Sequence, residues 1–164
     1  MVTSDTSFVV QIIADTLVLP LVAIATIALL VCVPNVKKFS VYSRMLLAGL
    51  TSYLIAKLMA TAWQPNSERP FETMGLEPGV SYLDNPGFPS DHALFVWVIF
   101  FAVWFGVRNP WLVGLCAVVA ALVSIGRVLA LVHAPIDVLG GFIAAALGAL
   151  WYIDARRQRI LAKK

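Results

Sequence analysis

Long unbroken apolar runs, not short-period alternation, dominate this chain. Five stand out, near Thr16–Val33, Val41–Trp63, His92–Val107, Trp111–Ile125 and Pro135–Ile153. A bilayer core calls for roughly 20 apolar residues per helix. A segment in lipid must also satisfy its own backbone hydrogen bonds, which selects helices. The third and fourth runs are short, and extension into the adjoining loops or local bilayer thinning accommodates them. The pattern therefore predicts an all-α protein, a polytopic membrane helical bundle of about five transmembrane helices. It is read as a single domain over residues 1–164. Residues 1–15, with Asp5 and Asp15, are expected as an interfacial N-terminal segment. The Pro- and Gly-rich stretch 64–91 reads as a loop, and 154–164, DARRQRILAKK, as a basic tail. No basic n-region of a secretory signal opens the chain, so its N-terminus is expected to be retained. In the last run Gly140, Ala144 and Gly148 recur at four-residue spacing. Such a stripe permits close helix packing, although Gly and Ala are enriched in membrane helices generally.

Composition agrees: 60% of the 164 residues are hydrophobic and 13% charged. A soluble domain of this size has too much surface for its volume to hide that. The two cysteines, Cys32 and Cys116, both lie inside apolar runs and read as small buried side chains. They are too few for a disulfide framework or zinc site.

Charge sets an orientation. Lys37, Lys38 and Arg44 follow the first run, Arg108 follows the third, and Arg156, Arg157, Arg159, Lys163 and Lys164 close the chain. The positive-inside rule makes these regions cytoplasmic, with the N-terminus and loop 64–91 on the other side. This segregation argues against nucleic-acid binding, which clusters cations on one solvated face. It leaves Lys57, Arg69 and Arg127 out of place. Ionisable groups at membrane depth are expensive and usually functional, and three displaced cations on one side suggest an anion site.

The only two histidines fall at that same edge. His92 opens the third run in FPSDH, and His133 opens the last in VHAPID. Ser90 reads as a helix N-cap and Pro135 as a first-turn residue. Helix N-termini offer free N–H groups and positive potential to a phosphate. Asp137, four residues after His133, would share its helix face. A carboxylate on one ring nitrogen fixes the tautomer and leaves the other nitrogen to attack. His92 could then protonate a leaving oxygen, while Lys57, Arg69 and Arg127 hold phosphate oxygens.

These residues resemble the type 2 phosphatidic acid phosphatase (PAP2) superfamily of membrane lipid phosphatases. The three parts of its signature correspond to Lys57 with Arg69-Pro70, to Pro89-Ser90-Asp91-His92, and to Gly126-Arg127, five residues, His133, three residues, Asp137. The resemblance spans roughly Lys57 to Leu150. Eleven residues separate Lys57 from Arg69, where the usual motif has six. Asp91 stands in place of the motif glycine, and Gly126 in place of a serine that would bond phosphate. The Pro-Ser-Asp-His form, with Arg-Pro-Phe upstream, is similar to the bacitracin-resistance type undecaprenyl diphosphate phosphatases. The resemblance implies that His133 becomes a phosphohistidine, that His92 protonates the leaving group and activates water, and that Ser90 contacts the phosphate. It implies no cofactor and no metal. It also implies a bacterial cytoplasmic membrane enzyme with its site on the extracytoplasmic face.

Each residue has a plainer reading. His133 could be an interfacial histidine and His92 a cap, and Lys57 could snorkel. Asp91 could simply favour the first turn of a helix. Glu68, Glu72, Glu77 and Asp84 read as a solvated loop. The preferred function is hydrolysis of a polyprenyl diphosphate. The alternative within the class is phosphatidic acid, phosphatidylglycerol phosphate or a broad range of lipid phosphates. A transporter or a non-catalytic lipid-phosphate binder is the alternative outside it, with the five short runs and lack of an inverted repeat speaking against transport. The sequence carries no signature of oligomeric state.

Overall fold

The computed structural model describes residues 4–65, 68–83, 85–107 and 109–153, with side chains from Phe8 onward. The helices run in the order α1 (Ser4–Gln11), a π-helical turn (Ile12–Thr16), α2 (Val18–Cys32), α3 (Asn35–Ala62), the short α4 (Pro70–Thr73), α5 (Asp91–Gly106), α6 (Pro110–Leu129) and α7 (Pro135–Gly148). Among the described residues there is no strand. Four helical stretches are long and apolar enough to cross a membrane: Phe8–Cys32, Asn35–Ala62, Pro110–Leu129 and Pro135–Ile153. The shorter apolar helix α5 lies among them and buries Ala93, Leu94, Val96, Phe100, Phe101, Ala102 and Val103. It packs chiefly on α7 and α6, and also touches α2 and α3.

The surface shows why water is the wrong solvent. Leu46, Leu50, Leu54 and Leu58 form an exposed stripe along α3, and Leu115, Val118, Leu122 and Ile125 do the same on α6. These faces have no protein partner among the described residues, and their mean hydropathy suits lipid. The chain is a membrane protein.

Local chemistry sets the helix ends. Ser90 caps α5 by accepting the Ala93 N–H at 3.4 Å. Asn109 caps α6 by accepting from Trp111 and Leu112, and Pro110 and Pro135 occupy first-turn positions of α6 and α7, where no N–H is needed. On α7, Gly148 lies against Ser52 and Ala48 of α3, where any Cβ would collide. Arg44 donates to the Trp151 carbonyl at 3.1 Å, placing a cation at the C-terminal end of the α7 run.

From Ser4 the N-terminal helix runs through the π-helical turn into the first apolar helix and packs on α6. Three features differ from the pattern-based expectation. Helix α3 starts at Asn35, directly after Pro34, so Lys37, Lys38 and Arg44 ride on its first turns and not in a connection. Cys116 is buried but Cys32 is exposed, on a helix face turned away from the bundle. Glu72 is more than a solvated charge, since its carboxylate accepts the Arg69 N–H at 2.6 Å and caps α4. Arg108, Asp84 and the basic tail 154–164 lie outside the described residues.

Candidate active site

His92, Arg127, His133 and Asp137 gather at one end of the bundle, each presented by a different piece of chain. His92 occupies the first turn of α5, and its Nε2 opens toward the N-terminal segment. Arg127 lies in the last turn of α6 and is buried. His133 sits in the turn between α6 and α7, and Asp137 in the first turn of α7.

His133 is therefore not on the helix that carries Asp137, as a helical spacing argument would place it. The two meet because Asp137 folds back over the helix start. Its Oδ2 accepts the Ala134 N–H at 2.8 Å and stands 3.5 Å from His133 Nδ1. His133 Nδ1 and Asp137 Oδ1 are buried and have no well-formed hydrogen bond among the described residues. Burial holds the His133 imidazole below its ordinary value of 6.5; Arg127 and Arg69 add to this, and Asp137 opposes it. His133 is accordingly neutral, the nucleophilic form, at neutral pH.

The turn that carries His133 is itself constrained. Leu131 adopts a φ of 60°, a left-handed conformation that side chains rarely take. The Leu131 carbonyl accepts the Phe71 N–H at 3.0 Å, and Arg69 Nη1 donates to the Val132 carbonyl at 2.5 Å. Arg69 Nη2 reaches the Leu83 carbonyl, the Asn85 carbonyl and Asn85 Oδ1. The guanidinium also stacks over the Tyr82 ring, 5.0 Å from its centroid. Arg69 thus ties three loop segments together beside His133, and much of its donor capacity is committed to protein acceptors.

Ser90 is fully buried and serves as the α5 cap, while its N–H donates to the Asp137 carbonyl at 2.9 Å. This couples the starts of α5 and α7. Lys57 approaches from α3, but its Nζ lies 3.8 Å from Asp91 Oδ1 and over the Tyr53 ring. Its place at the site is therefore through Asp91, the neighbour of His92. Among the described residues, no three His, Cys, Asp or Glu side chains cluster as a metal cage.

Asp15 was not anticipated as a site residue. Its Oδ1 accepts from Arg127 Nη1 at 2.6 Å and lies 3.8 Å from His92 Nε2, and Ser81 donates to its Oδ2 at 2.9 Å. The signal was present in the sequence: a carboxylate within the largely apolar stretch FVVQIIADTLVLP meets the same test of membrane depth that singled out Lys57.

A buried arginine, two histidines near helix starts and a carboxylate behind one of them thus lie together at one end of a membrane helical bundle. The PAP2 superfamily model matches residues 17–160, and the chain belongs to that superfamily. Its members are phosphatases, which supports a phosphoric ester hydrolase. No curated protein and no solved structure matches the chain.

Proposed function

We propose that this chain is an integral membrane lipid phosphatase. In this reading it converts a polyprenyl diphosphate, of the undecaprenyl type, to the monophosphate and inorganic phosphate. The observation that carries the proposal is the grouping of His92, His133 and Arg127 at one bundle end, beside an apolar groove. That groove, of about 240 Å³, is lined by Met59, Trp63, Phe88, Ile136, Leu139 and Ile143 among others. Ile136 adjoins Asp137 and Phe88 lies two residues before Ser90, so an apolar tail in the groove would carry its phosphate toward the histidines.

In the first step His133 Nε2 attacks the terminal phosphorus. The bond from phosphorus to the bridging oxygen breaks, and that oxygen takes a proton from His92. Arg127 stabilises the charge on the remaining phosphoryl oxygens. In the second step water loses a proton to His92 and attacks the phosphohistidine. The P–N bond breaks, phosphate leaves and both imidazoles return to their starting states. The chain supplies nucleophile, proton donor and positive charge, so the reaction is written without a metal. The apolar helices support a multi-pass protein, the short chain and the Pro-Ser-Asp-His form support a bacterial cytoplasmic membrane, and the cation distribution supports an extracytoplasmic site and a cytoplasmic C-terminus.

The test is phosphate release by purified protein from farnesyl and undecaprenyl diphosphates, phosphatidic acid and phosphatidylglycerol phosphate, with and without chelator. Preference for the diphosphates and survival in chelator are expected. Preference for the glycerolipids would move the substrate assignment. A strict need for added magnesium would overturn the metal-free scheme, and release from none of the substrates would overturn the enzyme.

A further inference from the structure

The N-terminal segment docks on the site with more specificity than a membrane anchor requires. Leu17 N–H bonds the Ile12 carbonyl at 3.0 Å, closing a π-helical turn. Such turns in otherwise α-helical runs are frequent at functional sites. The turn lies directly on Gly126 of α6. A Cβ there would stand 2.9 Å from the Ala14 nitrogen and 3.0 Å from its Cα, so only glycine admits this approach. The contact seats Asp15 beside the next residue, Arg127.

Arg127 has a side-chain exposure of only 1%, and its Nε has no partner among the described residues. A guanidinium so enclosed needs a counter-charge and a fixed orientation. Asp15 supplies both, and Ser81 holds its second oxygen. The same Oδ1 faces His92 Nε2. The charged and titratable groups around His92 are Asp15 from the N-terminal segment, Arg127 from α6, His133 from the α6–α7 turn and Asp91 beside it on α5. Of the two carboxylates, Asp15 is the one within 4 Å of Nε2. A carboxylate there favours the protonated ring, the form that can donate to a leaving oxygen.

We propose that Asp15 is a positioning residue of the active site: its carboxylate orients Arg127 toward the phosphoryl group and faces His92 as it carries its proton. The segment ahead of the superfamily-matched residues 17–160 thereby becomes part of the catalytic apparatus. This inference rests on the lipid phosphatase reading.

The test compares wild type, Asp15→Asn and Asp15→Glu, measuring phosphate release from farnesyl diphosphate as kcat, KM and the pH profile of kcat. Asp15→Asn is expected to lower kcat about tenfold or more, part of the roughly 10²–10⁴-fold that a placed proton donor contributes. KM should change less. The alkaline limb of kcat should move to lower pH as His92 loses its facing charge. Asp15→Glu should restore part of both effects. Unchanged kcat and an unmoved limb in Asp15→Asn, beside an active wild type, would overturn this inference alone. A raised kcat or lowered KM would show Asp15 to be a competitor of the phosphate and would overturn it too. Absence of wild-type turnover would remove the phosphatase reading and this inference with it. If Asp15→Asn does not fold, Ser81→Ala decides: a smaller fall in kcat with a limb shift in the same direction supports the inference, and wild-type values overturn it.

Discussion

Asp137 Oδ2 serves two partners at once, accepting the Ala134 N–H at 2.8 Å and standing 3.5 Å from His133 Nδ1. One carboxylate thus caps the start of α7 and backs the ring proposed to attack phosphorus. Asp137→Asn separates the two duties, because an amide oxygen can still accept from Ala134. The variant should fold and lose about 10²- to 10⁴-fold in kcat, since the neutral amide no longer stabilises the ring as it gains charge. Thermal unfolding beside phosphate release checks this. A variant with wild-type kcat would separate Asp137 from the chemistry.

The buried His133 gives a pH expectation with a definite sign. Its imidazole binds a proton less readily in the folded chain than in the unfolded one, because burial disfavours the charged ring. The nucleophile therefore stays neutral below its ordinary value of 6.5, and the acidic limb of kcat/KM due to His133 should lie below pH 6.5. Stability follows the same linkage. This group's contribution is fully present above 6.5 and is lost as pH falls from there through the lower folded value. A pH–rate profile whose acidic limb lies above 6.5 would contradict the assignment.

Gly126→Ser restores the residue expected of the superfamily motif, yet it should damage this protein. Its Cβ would press on the Ala14 backbone at 2.9 Å. Overpacking of this kind costs about 1–3 kcal/mol, and the relief available is to push the π-helical turn off α6. Lower thermal stability together with faster proteolysis before Thr16 is expected. A variant as stable and as protected as wild type would show that the N-terminal segment docks in some other way.

Arg69 distinguishes a phosphate ligand from a loop organiser. Its bonds to Val132, Leu83 and Asn85 use the planar fork that lysine lacks. Arg69→Lys keeps the charge, so it should lower thermal stability and kcat together. A rise in KM alone, at unchanged stability, would make Arg69 chiefly a phosphate ligand.

Much of the fold was legible because lipid imposes a simple rule on sequence: an apolar run of sufficient length becomes a helix. The caps at Ser90 and the first-turn Pro135 were legible for similarly local reasons. What escaped depends on contacts distant in sequence. Nothing near Arg69 shows that its guanidinium will meet carbonyls 14 and 63 residues away. Asp15 and Arg127 are 112 residues apart, and their pairing follows from a backbone approach that only Gly126 permits. His133 and Asp137 were correctly paired by number, but the geometry is that of a helix start and not of a helix face.

The central claim is that His133 carries the phosphoryl group between the two steps. The most direct measurement is alkaline-quench or alkaline denaturing-gel analysis of purified protein mixed briefly with polyprenyl diphosphate labelled on the terminal phosphate. Label should be bound to the wild-type chain, be stable to base, be lost in mild acid and map to a peptide containing His133, with none on His133→Ala. Normal phosphate release by His133→Ala, or label on another residue, would contradict the claim.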